Sequence, residues 1–462
     1  MKTTHCTRFT AALATAILLA AAPARAQTPA RASVSLAPAA GGLFGNLTIN
    51  DPGDNVWNLE SSTDLGAWSF VKSYRIYNGA YTVGLTTDPA QARLFYRAVY
   101  DPSAQGLPYT TSDALKLPVT AYNYAHPALP PSYLAPPVVN QDNTPATNPT
   151  TDLGATLGRV LFYDKRLSTN RTVACASCHQ AQHGFSDPRK VSAGFDGSQG
   201  NRHAMRLVNA RYYQRGHFFW DERANALEDQ VLGPIQNPVE MGMTLPTLIT
   251  RLSAETFYTN LFNQTFGSPV ITTNRISQAL AQFVRSMVSY QSKYDQGLRV
   301  GFTNFTAQES LGRQIFLGQV GRATCAACHG TDSFTAPNIF NNGLEFPYVD
   351  TGVGGVTGVA QQMGLFKVPS LRNIEVSGPY MHDGRFKTLE EVVDFYNSGV
   401  VDNPNLSPPL RTPPGPGVPP GAPLRLNLST DQKAALVAFL KTLTDTTLAT
   451  DPKYQDPFNY GK

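Results

Sequence analysis

The sequence has few cysteines, little net charge and no long apolar run beyond its amino terminus. Five of its 462 residues are cysteine, and the formal net charge is only +4. Such a small excess of basic residues gives no support for binding to nucleic acid or to a membrane surface. A membrane span needs about 20 consecutive apolar residues, and no segment after the first 26 residues approaches that. We therefore expect no nucleic-acid partner and no membrane span in the mature chain.

The first 26 residues have the features of a secretory signal peptide. Lys2 and Arg8 provide positive charge, an apolar run covers Phe9–Ala22, and Ala24–Ala26 offers small residues for cleavage. Its removal would lower the net charge to +1 and start the mature chain at Gln27. The alternative is a transmembrane anchor, which the short apolar run disfavours. We expect a periplasmic or secreted protein.

Composition divides the rest of the chain into a β segment, a linker and two helical units. The predicted bounds are 27–100 for a small β-sandwich-like accessory domain, 101–150 for the linker, and 151–305 and 306–462 for the helical units. Short runs starting at Val56, Ala80 and Leu94 are separated by turn residues and predict strands. Trp57 and Trp68 are expected in the core of this domain, which could also dock the protein to a cell surface or partner.

The linker is rich in Pro, Asn, Thr and Tyr, and we expect it to pack over the domain that follows. A second Pro-rich stretch, 403–423, is expected to form an irregular surface loop.

Each helical unit contains a helix that leads to a cysteine pair. Leu157, Val160 and Leu161 share one face of the first helix, and a capping box at Thr306 opens the second. A further capping box at Ser429 begins a terminal apolar helix. A helix, a cysteine pair, irregular loops and a terminal helix are typical of a small haem domain.

The two cysteine pairs are the most informative feature, because each is followed directly by histidine. The motif residues are Cys175, Cys178 and His179, and Cys325, Cys328 and His329. Two thiols at this spacing can bind the vinyl groups of one porphyrin, and the adjacent histidine then binds the iron. The alternatives for one such motif are a redox dithiol or half of a zinc site. Two copies predict two covalently bound haem c groups.

The sequence around these motifs resembles the bacterial di-haem cytochrome c peroxidase and MauG family. The resemblance covers roughly residues 150–448 and is most specific in FFWDERANALEDQVLGPIQNPVEMG and FKVPSLRNIEVSGPYMHDGRFKTLEEVVDFYNSG. It implies two mainly α cytochrome c domains that face each other, and a reaction with hydrogen peroxide. The first haem, at His179, would be the open peroxide site. The second, at His329, would be six-coordinate and would store or relay electrons.

The first of these stretches carries the residues that the family uses around the peroxide site. Trp220 matches a tryptophan that relays electrons between the haems, Gln230 and Glu240 match residues over the open iron, and Pro234 matches a proline that shapes the pocket. A carboxylate there can take a proton from peroxide and return it to the leaving oxygen. Without the resemblance, Trp220 would be interpreted as a core aromatic and Glu240 as a surface acid.

The second stretch carries the sixth ligand of the second haem. A capping box at Thr388 opens a helix that Gly399 would end, and its apolar stripe is Leu389, Val392, Val393 and Tyr396. The phenol of Tyr396 should therefore point inward.

The resemblance places Tyr396 where the family's peroxidases present methionine and the MauG branch presents tyrosine. A phenolate stabilises the more oxidised states of iron, whereas methionine raises the reduction potential. The alternative is that Tyr396 is only a core aromatic. Met363 and Met381 lie nearby in sequence but off the ligand position.

The loop after the first motif departs from the family pattern. Many peroxidases of the family carry a histidine there that blocks the first iron until the second haem is reduced. Residues 192–197 contain no histidine, and Phe195 falls near that place. His183 and His203 are out of register. We therefore predict an open first haem that needs no reductive activation.

The calcium site of the family is also altered. The resemblance assigns two backbone carbonyls, those of Ser377 and Pro379, to a calcium ion between the haems. His203 stands where the family has the third ligand, an asparagine, and histidine is a poor ligand for calcium. Calcium is therefore an option rather than an expectation.

Three functions remain open. The favoured one is a MauG-like enzyme that reacts with hydrogen peroxide and oxidises a partner protein. The alternative is a peroxidase that reduces hydrogen peroxide to water with electrons from a small redox protein. A non-enzymatic electron carrier is the more remote alternative, because a carrier would close both irons with strong ligands.

Overall fold

The computed structural model describes residues 33–38, 45–51, 55–76, 79–85, 94–102, 114–323, 325–413, 416 and 421–459. The predicted signal segment therefore lies outside the described residues. Within the described ranges, no helix combines the length and the apolar character that a membrane crossing requires. The structure is mainly helical with some β-sheet, as the sequence predicts.

The amino-terminal part forms two small antiparallel sheets. The strands are β1 (Ser33–Pro38), β2 (Gly45–Asp51), β3 (Asn55–Ser62), β4 (Ser69–Ile76), β5 (Gly79–Gly84) and β6 (Phe95–Tyr100). One sheet has the order β1-β2-β5 and the other β4-β3-β6. Their inner residues, such as Leu47, Ile49 and Leu59, share one core. The strands predicted at Val56 and Leu94 are confirmed as β3 and β6.

The two tryptophans of this part differ in burial. Trp57 is buried in the shared core, and its indole Nε1 donates a hydrogen bond to Asp51 at 2.7 Å. Trp68 lies outside that core and is half-buried. The Arg97 guanidinium covers the Trp68 ring, 4.2 Å from its centre. The prediction that Trp68 is a core residue is therefore wrong, because its ring packs under a cation instead.

The remainder of the chain is built from short and medium helices. The α-helices are α1 (Pro131–Leu134), α2 (Asp152–Tyr163), α3 (Cys175–Cys178), α4 (Leu227–Gln230), α5 (Gly233–Gln236), α6 (Leu245–Ser253), α7 (Thr256–Phe266), α8 (Thr273–Ser286), α9 (Lys293–Val300), α10 (Ala307–Phe316), α11 (Ala326–His329), α12 (Gly352–Thr357), α13 (Leu389–Asp394), α14 (Thr430–Lys441) and α15 (Thr447–Thr450). Strands β7 (Ile339–Phe340) and β8 (Phe366–Lys367) pair antiparallel. The capping boxes predicted at Thr306, Thr388 and Ser429 are confirmed at the starts of α10, α13 and α14.

Two helix pairs cross in the same way. Helix α2 packs on α8, and α10 packs on α14. Each crossing has a glycine at its closest point: a Cβ on Gly158 would lie 2.0 Å from the carbonyl oxygen of Ala279, and one on Gly312 would lie 1.9 Å from that of Ala435. No other residue type allows backbones to approach so closely. The two units therefore share one local architecture.

Each helix pair lies in its own hydrophobic cluster, but the chain does not divide simply between them. The first cluster contains α2 and α8 together with Leu448 and Phe458 from the carboxy-terminal tail. The second contains α10 and α14. The segment predicted as a linker contacts both units: Tyr124 joins the first cluster, whereas Gln141 accepts a 2.6 Å hydrogen bond from Ser333 in the second unit. The predicted boundary at residue 306 stays a prediction.

The first part of the second Pro-rich segment is buried, whereas the sequence predicted a surface loop. Asn403, Leu406 and Ser407 are buried. Pro409 and Leu410 line a cavity of the second unit. The expectation of a surface loop is therefore wrong for the first part of 403–423, because its few apolar residues cover that cavity.

Candidate haem sites

The two Cys-x-x-Cys-His motifs have the same local geometry. Helices α3 and α11 carry the motifs, and each motif histidine is fixed through its Nδ1 atom. Nδ1 of His179 donates to the carbonyl oxygen of Phe185 at 2.9 Å, and Nδ1 of His329 donates to that of Phe334 at 3.0 Å. Both phenylalanines adopt the left-handed backbone conformation, with φ of 58° and 52°. This arrangement leaves Nε2 of each histidine as a neutral nitrogen that can bind a metal.

The cysteines of both motifs are in environments that favour the thiol. None of the four forms a disulfide. Burial raises the pKa of the Cys175 and Cys325 thiols to about 12, and that of Cys328 to about 11. A redox dithiol needs the thiolate, whose formation burial opposes here, and a structural zinc site needs further ligands beside each cysteine pair. No group of three or more His, Cys, Asp or Glu suited to a metal occurs in the described ranges. The motif residues therefore fit covalent haem attachment better than either alternative.

Each motif opens onto a large cavity of about 230 Å³. The first cavity is lined by Cys175, Cys178 and His179, and the second by Cys325, Cys328 and His329. Burial lowers the pKa of both histidines, that of His329 to about 4, so that both imidazoles are neutral near pH 7. Two thiols and one neutral imidazole at the wall of an apolar cavity are the donor set that haem c requires.

The residues predicted for the peroxide site come together in the first cavity. Trp220, Gln230, Pro234 and Glu240 all line it. The Glu240 carboxylate accepts a 2.8 Å hydrogen bond from the amide of Asn237. Burial raises the pKa of Glu240, and the positive charge of Arg223 and the Asn237 hydrogen bond partly oppose that rise. Glu240 is thus a half-buried acid at the wall of the cavity, where it could exchange a proton.

Asn237 was not found from the sequence, although it stands three residues before Glu240. Its side-chain oxygen also accepts from the Val239 backbone N–H at 2.8 Å, so one amide fixes both the turn and the carboxylate. The turn is held further by the loop 192–197, since the Phe195 N–H donates to the carbonyl oxygen of Glu240 at 2.9 Å.

Among the described histidines, His179 and His203 line the first cavity. The ring nitrogens of His203 are engaged elsewhere: Nε2 lies 3.0 Å from the Ser186 hydroxyl oxygen and Nδ1 lies 3.2 Å from the carbonyl oxygen of Arg189. His183 contacts the carbonyl oxygen of Val376 at 3.1 Å. Whether a histidine blocks the first iron is not decided by these contacts, and the open first haem stays a prediction.

The second cavity contains the complete apolar stripe of helix α13. Leu389, Val392, Val393 and Tyr396 all line it, as their spacing predicts. The α-helix ends at Asp394 and continues as a π-helical turn, Phe395–Gly399, so Tyr396 lies in an irregular turn of a kind that is frequent at functional sites. Burial raises the pKa of Tyr396 to about 12, partly opposed by a hydrogen bond with Asn342.

A methionine lies beside this tyrosine. The Asn342 amide nitrogen is 3.5 Å from the Tyr396 hydroxyl oxygen and 3.5 Å from the Met381 sulfur. Met381 lines the second cavity and has a left-handed backbone with φ of 73°. The cavity therefore offers two side chains that can bind haem iron, where the sequence favoured one.

The residues assigned to calcium do not form a convincing calcium site. Ser377 is buried, and its hydroxyl donates to the carbonyl oxygen of Ile374 at 3.3 Å. At the third position, His203 presents an imidazole whose nitrogens are already engaged. Calcium takes oxygen ligands, and this position provides none from a side chain. The residues present therefore do not fit calcium, although Pro379 and Ser377 keep their carbonyls.

Four residues line both cavities and form the wall between them, here called the inter-cavity wall. They are Arg206, Trp220, Lys367 and Pro369. The indole Nε1 of Trp220 donates to the carbonyl oxygen of His203 at 2.8 Å, and its own carbonyl oxygen accepts from the Lys367 N–H at 2.9 Å. The sequence predicted Trp220 at this place but neither cation.

Comparisons with known proteins agree with this geometry. Residues 153–301 match the family model described as di-haem cytochrome c peroxidase. A methylamine utilization protein MauG from Methylophilus methylotrophus is 32% identical over 299 residues, which cover 65% of this chain and 84% of that protein. A cytochrome c551 peroxidase from Nitrosomonas europaea is 34% identical, covering 63% of this chain and 79% of that protein.

A solved structure leads to the same assignment. The crystal structure of a MauG-like protein associated with microbial copper homeostasis has a TM-score of 0.60 and 33% identity, covering 70% of this chain and 98% of that one. MauG proteins and peroxidases match this chain at similar identity, so the comparisons do not separate the two branches. The chain belongs to the di-haem cytochrome c peroxidase and MauG family and is a peroxide-reactive oxidoreductase with two haems.

Proposed function

We propose that this protein is a MauG-like enzyme in which hydrogen peroxide reacts at the first haem, Tyr396 binds the iron of the second haem, and a partner protein is oxidised. The observation that carries the proposal is the position of the Tyr396 phenol in the same cavity as His329. The peroxide site in this proposal is the first cavity, where the ring nitrogens of His203 contact the Ser186 hydroxyl and the carbonyl oxygen of Arg189.

The chain attaches and orients the cofactors. Cys175 and Cys178 hold the first haem with His179 as iron ligand, and Cys325 and Cys328 hold the second with His329. When bound, the haems supply iron that accepts peroxide and stores oxidising equivalents. Hydrogen bonds from both histidines to backbone carbonyls fix the ring orientations and increase the basicity of Nε2.

The proton chemistry belongs to Glu240. As a carboxylate, Glu240 would take a proton from one oxygen of hydrogen peroxide and return it to the other oxygen, which would leave as water. Asn237 keeps the carboxylate in place at 2.8 Å, and Gln230 supplies an amide at the wall of the same cavity. Trp220 lies in the inter-cavity wall, where an aromatic ring shortens the path for electrons between the sites.

The second candidate is a peroxidase that takes electrons from a small redox protein. The observation that favours it is Met381, whose sulfur shares the Asn342 amide with Tyr396. If Met381 binds the second iron, that haem has a high potential and serves as an electron-entry port. In either case the protein is proposed to act in the periplasm or outside the cell, on the basis of the predicted signal segment.

The ligand of the second haem can be tested by spectroscopy on three proteins. We expect Tyr396→Phe to convert the second haem from six-coordinate to five-coordinate, visible as a new high-spin signal in electron paramagnetic resonance. The matched control Met381→Leu, whose side chain lines the same cavity, should leave the second haem unchanged. The opposite pattern, with a change only in Met381→Leu, would assign methionine ligation and the peroxidase branch.

A further inference from the structure

Two cations lie in the inter-cavity wall. Arg206 and Lys367 each line both haem cavities. Lys367 is buried, and its ammonium stands 3.8 Å from the centre of the Tyr213 ring. The Nε atom of Arg206 is buried and has no hydrogen-bond partner among the described residues.

The surroundings of Arg206 contain cations, rings and neutral groups rather than a carboxylate. The groups whose pKa values it affects are His203, His329, Lys367 and Tyr380. Burial lowers the pKa of the Arg206 guanidinium itself to about 10, which shows how little negative charge the protein places beside it. A desolvated guanidinium without an anion is costly, and natural structures pair such groups.

The carboxylate that acts on Lys367 is that of Glu222, which already has other partners. Glu222 raises the pKa of Lys367, but burial dominates and lowers it to about 7. The Glu222 carboxylate accepts from the Tyr213 hydroxyl and pairs with Arg215 at 2.7 Å. The protein therefore leaves the positive charge of the inter-cavity wall largely without a partner of its own.

Haem itself brings the missing anions. Each haem c carries two propionate carboxylates, and Arg206 is reached from both cavities. We propose that the Arg206 guanidinium binds a haem propionate at the inter-cavity wall and supplies there the fixed positive charge for which other members of the family use calcium. Guanidinium–carboxylate pairs of this kind form two parallel hydrogen bonds and are among the stronger charge-assisted contacts.

The residue at the family's calcium-ligand position also supports the proposed role of Arg206 as a propionate partner. His203, at the position of the missing calcium ligand, is only three residues before Arg206, and its imidazole contacts Ser186 and a carbonyl oxygen. One short segment thus lacks a side chain suited to calcium at position 203 and carries, at position 206, a cation that lines both cavities. The inference rests on haem binding and is independent of whether Tyr396 or Met381 is the second ligand.

The first experiment treats the wild-type holoprotein with EGTA, followed by added calcium chloride. The measurement is the midpoint potential of each haem by spectroelectrochemistry, together with the visible spectrum. We expect neither the potentials nor the spectrum to change in either step. A potential or spectrum that shifts with EGTA and returns with calcium would show a calcium site and overturn the proposal.

The second experiment compares Arg206→Gln, which removes the charge, with Arg206→Lys, which keeps it. A nearby cation favours the reduced haem, so Arg206→Gln should lower at least one midpoint potential, and each tenfold change in the reduction equilibrium is about 59 mV. The Gln variant should also gain a pH dependence of that potential near neutral pH, because the unpaired propionate then takes up a proton more readily. Arg206→Lys should remain close to wild type in both respects.

The matched control is Arg322→Gln, an exposed arginine three residues before Cys325. Its loss should leave both potentials unchanged, since solvent screens an exposed charge. Haem content of every variant is measured first, so that a failure to bind haem is distinguished from a changed potential. Full haem content with unaltered potentials in Arg206→Gln would refute the pairing, as would equal shifts in Arg206→Gln and Arg322→Gln.

Discussion

At the residue scale, the acid of the first cavity is held by one contact from its own turn and by one from a distant loop. Glu240 is fixed by the Asn237 amide and by the backbone hydrogen bond from Phe195 to its own carbonyl oxygen. Its carboxyl has a raised pKa because burial disfavours the charge. In the proposed mechanism the carboxylate form of Glu240 accepts a proton from peroxide, so activity should depend on its ionisation.

We predict that the rate of reaction with peroxide rises with pH through the raised pKa of Glu240, above the ordinary value near 4.5. Below that pKa the carboxyl is protonated and cannot accept the proton, so the rate falls. Glu240→Gln should lower the rate by about 10²–10⁴-fold and remove this pH step. Stopped-flow absorbance at a series of pH values measures both effects.

Asp229→Asn is the control, because Asp229 is an exposed acid next to Gln230. Its rate and pH profile should match those of the wild type. A pH step that persists in Glu240→Gln would mean that another group carries the proton.

The sequence predicted the cavity residues that belong to a recognisable motif. It did not predict the residues that reach a cavity only through the tertiary fold. The Cys-x-x-Cys-His histidines and Tyr396 were placed in their cavities from spacing and resemblance. Asn342 could not be found in this way, because it reaches the second cavity from a segment more than 50 residues before Tyr396. Arg206 was also missed, since a lone arginine in a loop has no sequence signal for facing two cavities.

At the scale of elements, each unit is built around one pair of closely packed helices. Gly312 lets α10 approach α14 so closely that a Cβ would overlap the Ala435 carbonyl. We predict that Gly312→Ala lowers the free energy of unfolding by about 1–3 kcal/mol, because the helices must separate. This predicted loss is the net value, after subtraction of the gain of about 1 kcal/mol that alanine has over glycine inside a helix, because the overlap is with a backbone oxygen. Guanidinium unfolding followed by circular dichroism gives the value.

Gln314→Ala serves as control, because Gln314 is exposed on the same helix. A change there should stay within about 0.5 kcal/mol. Equal stability of Gly312→Ala and wild type would show that the close approach is not required.

Some elements are determined by local sequence, and others are determined by tertiary packing. The capping boxes at Thr306, Thr388 and Ser429 begin helices because their hydrogen bonds are formed within four residues. The π-helical turn contains Tyr396, which lines the second cavity, and Leu406 is buried against Phe395 and Val400; neither follows from periodicity. Trp68 was misplaced for a related reason, since its Arg97 partner lies on another strand.

At the scale of the whole molecule, two units with the same local architecture each contain a cavity, and the two cavities share the inter-cavity wall. Each unit repeats the glycine crossing, the motif helix and the histidine fixed by a phenylalanine carbonyl. The units differ in what lines the rest of each cavity: a half-buried acid in the first, and a phenol beside a thioether in the second. This difference supports the proposal that peroxide reacts in the first cavity and that the second haem stores electrons.

The central claim is that the open first haem lets the fully oxidised protein react with peroxide, and that Tyr396 lets the second haem share the oxidising equivalents. The most direct measurement is the stopped-flow visible and near-infrared spectrum of the fully oxidised protein after one equivalent of hydrogen peroxide, beside that of Tyr396→Met. The account predicts an immediate change with a near-infrared band in the wild type, and in Tyr396→Met no such band. A wild-type spectrum that stays unchanged until one haem has been reduced would contradict it and place the protein with the reductively activated peroxidases.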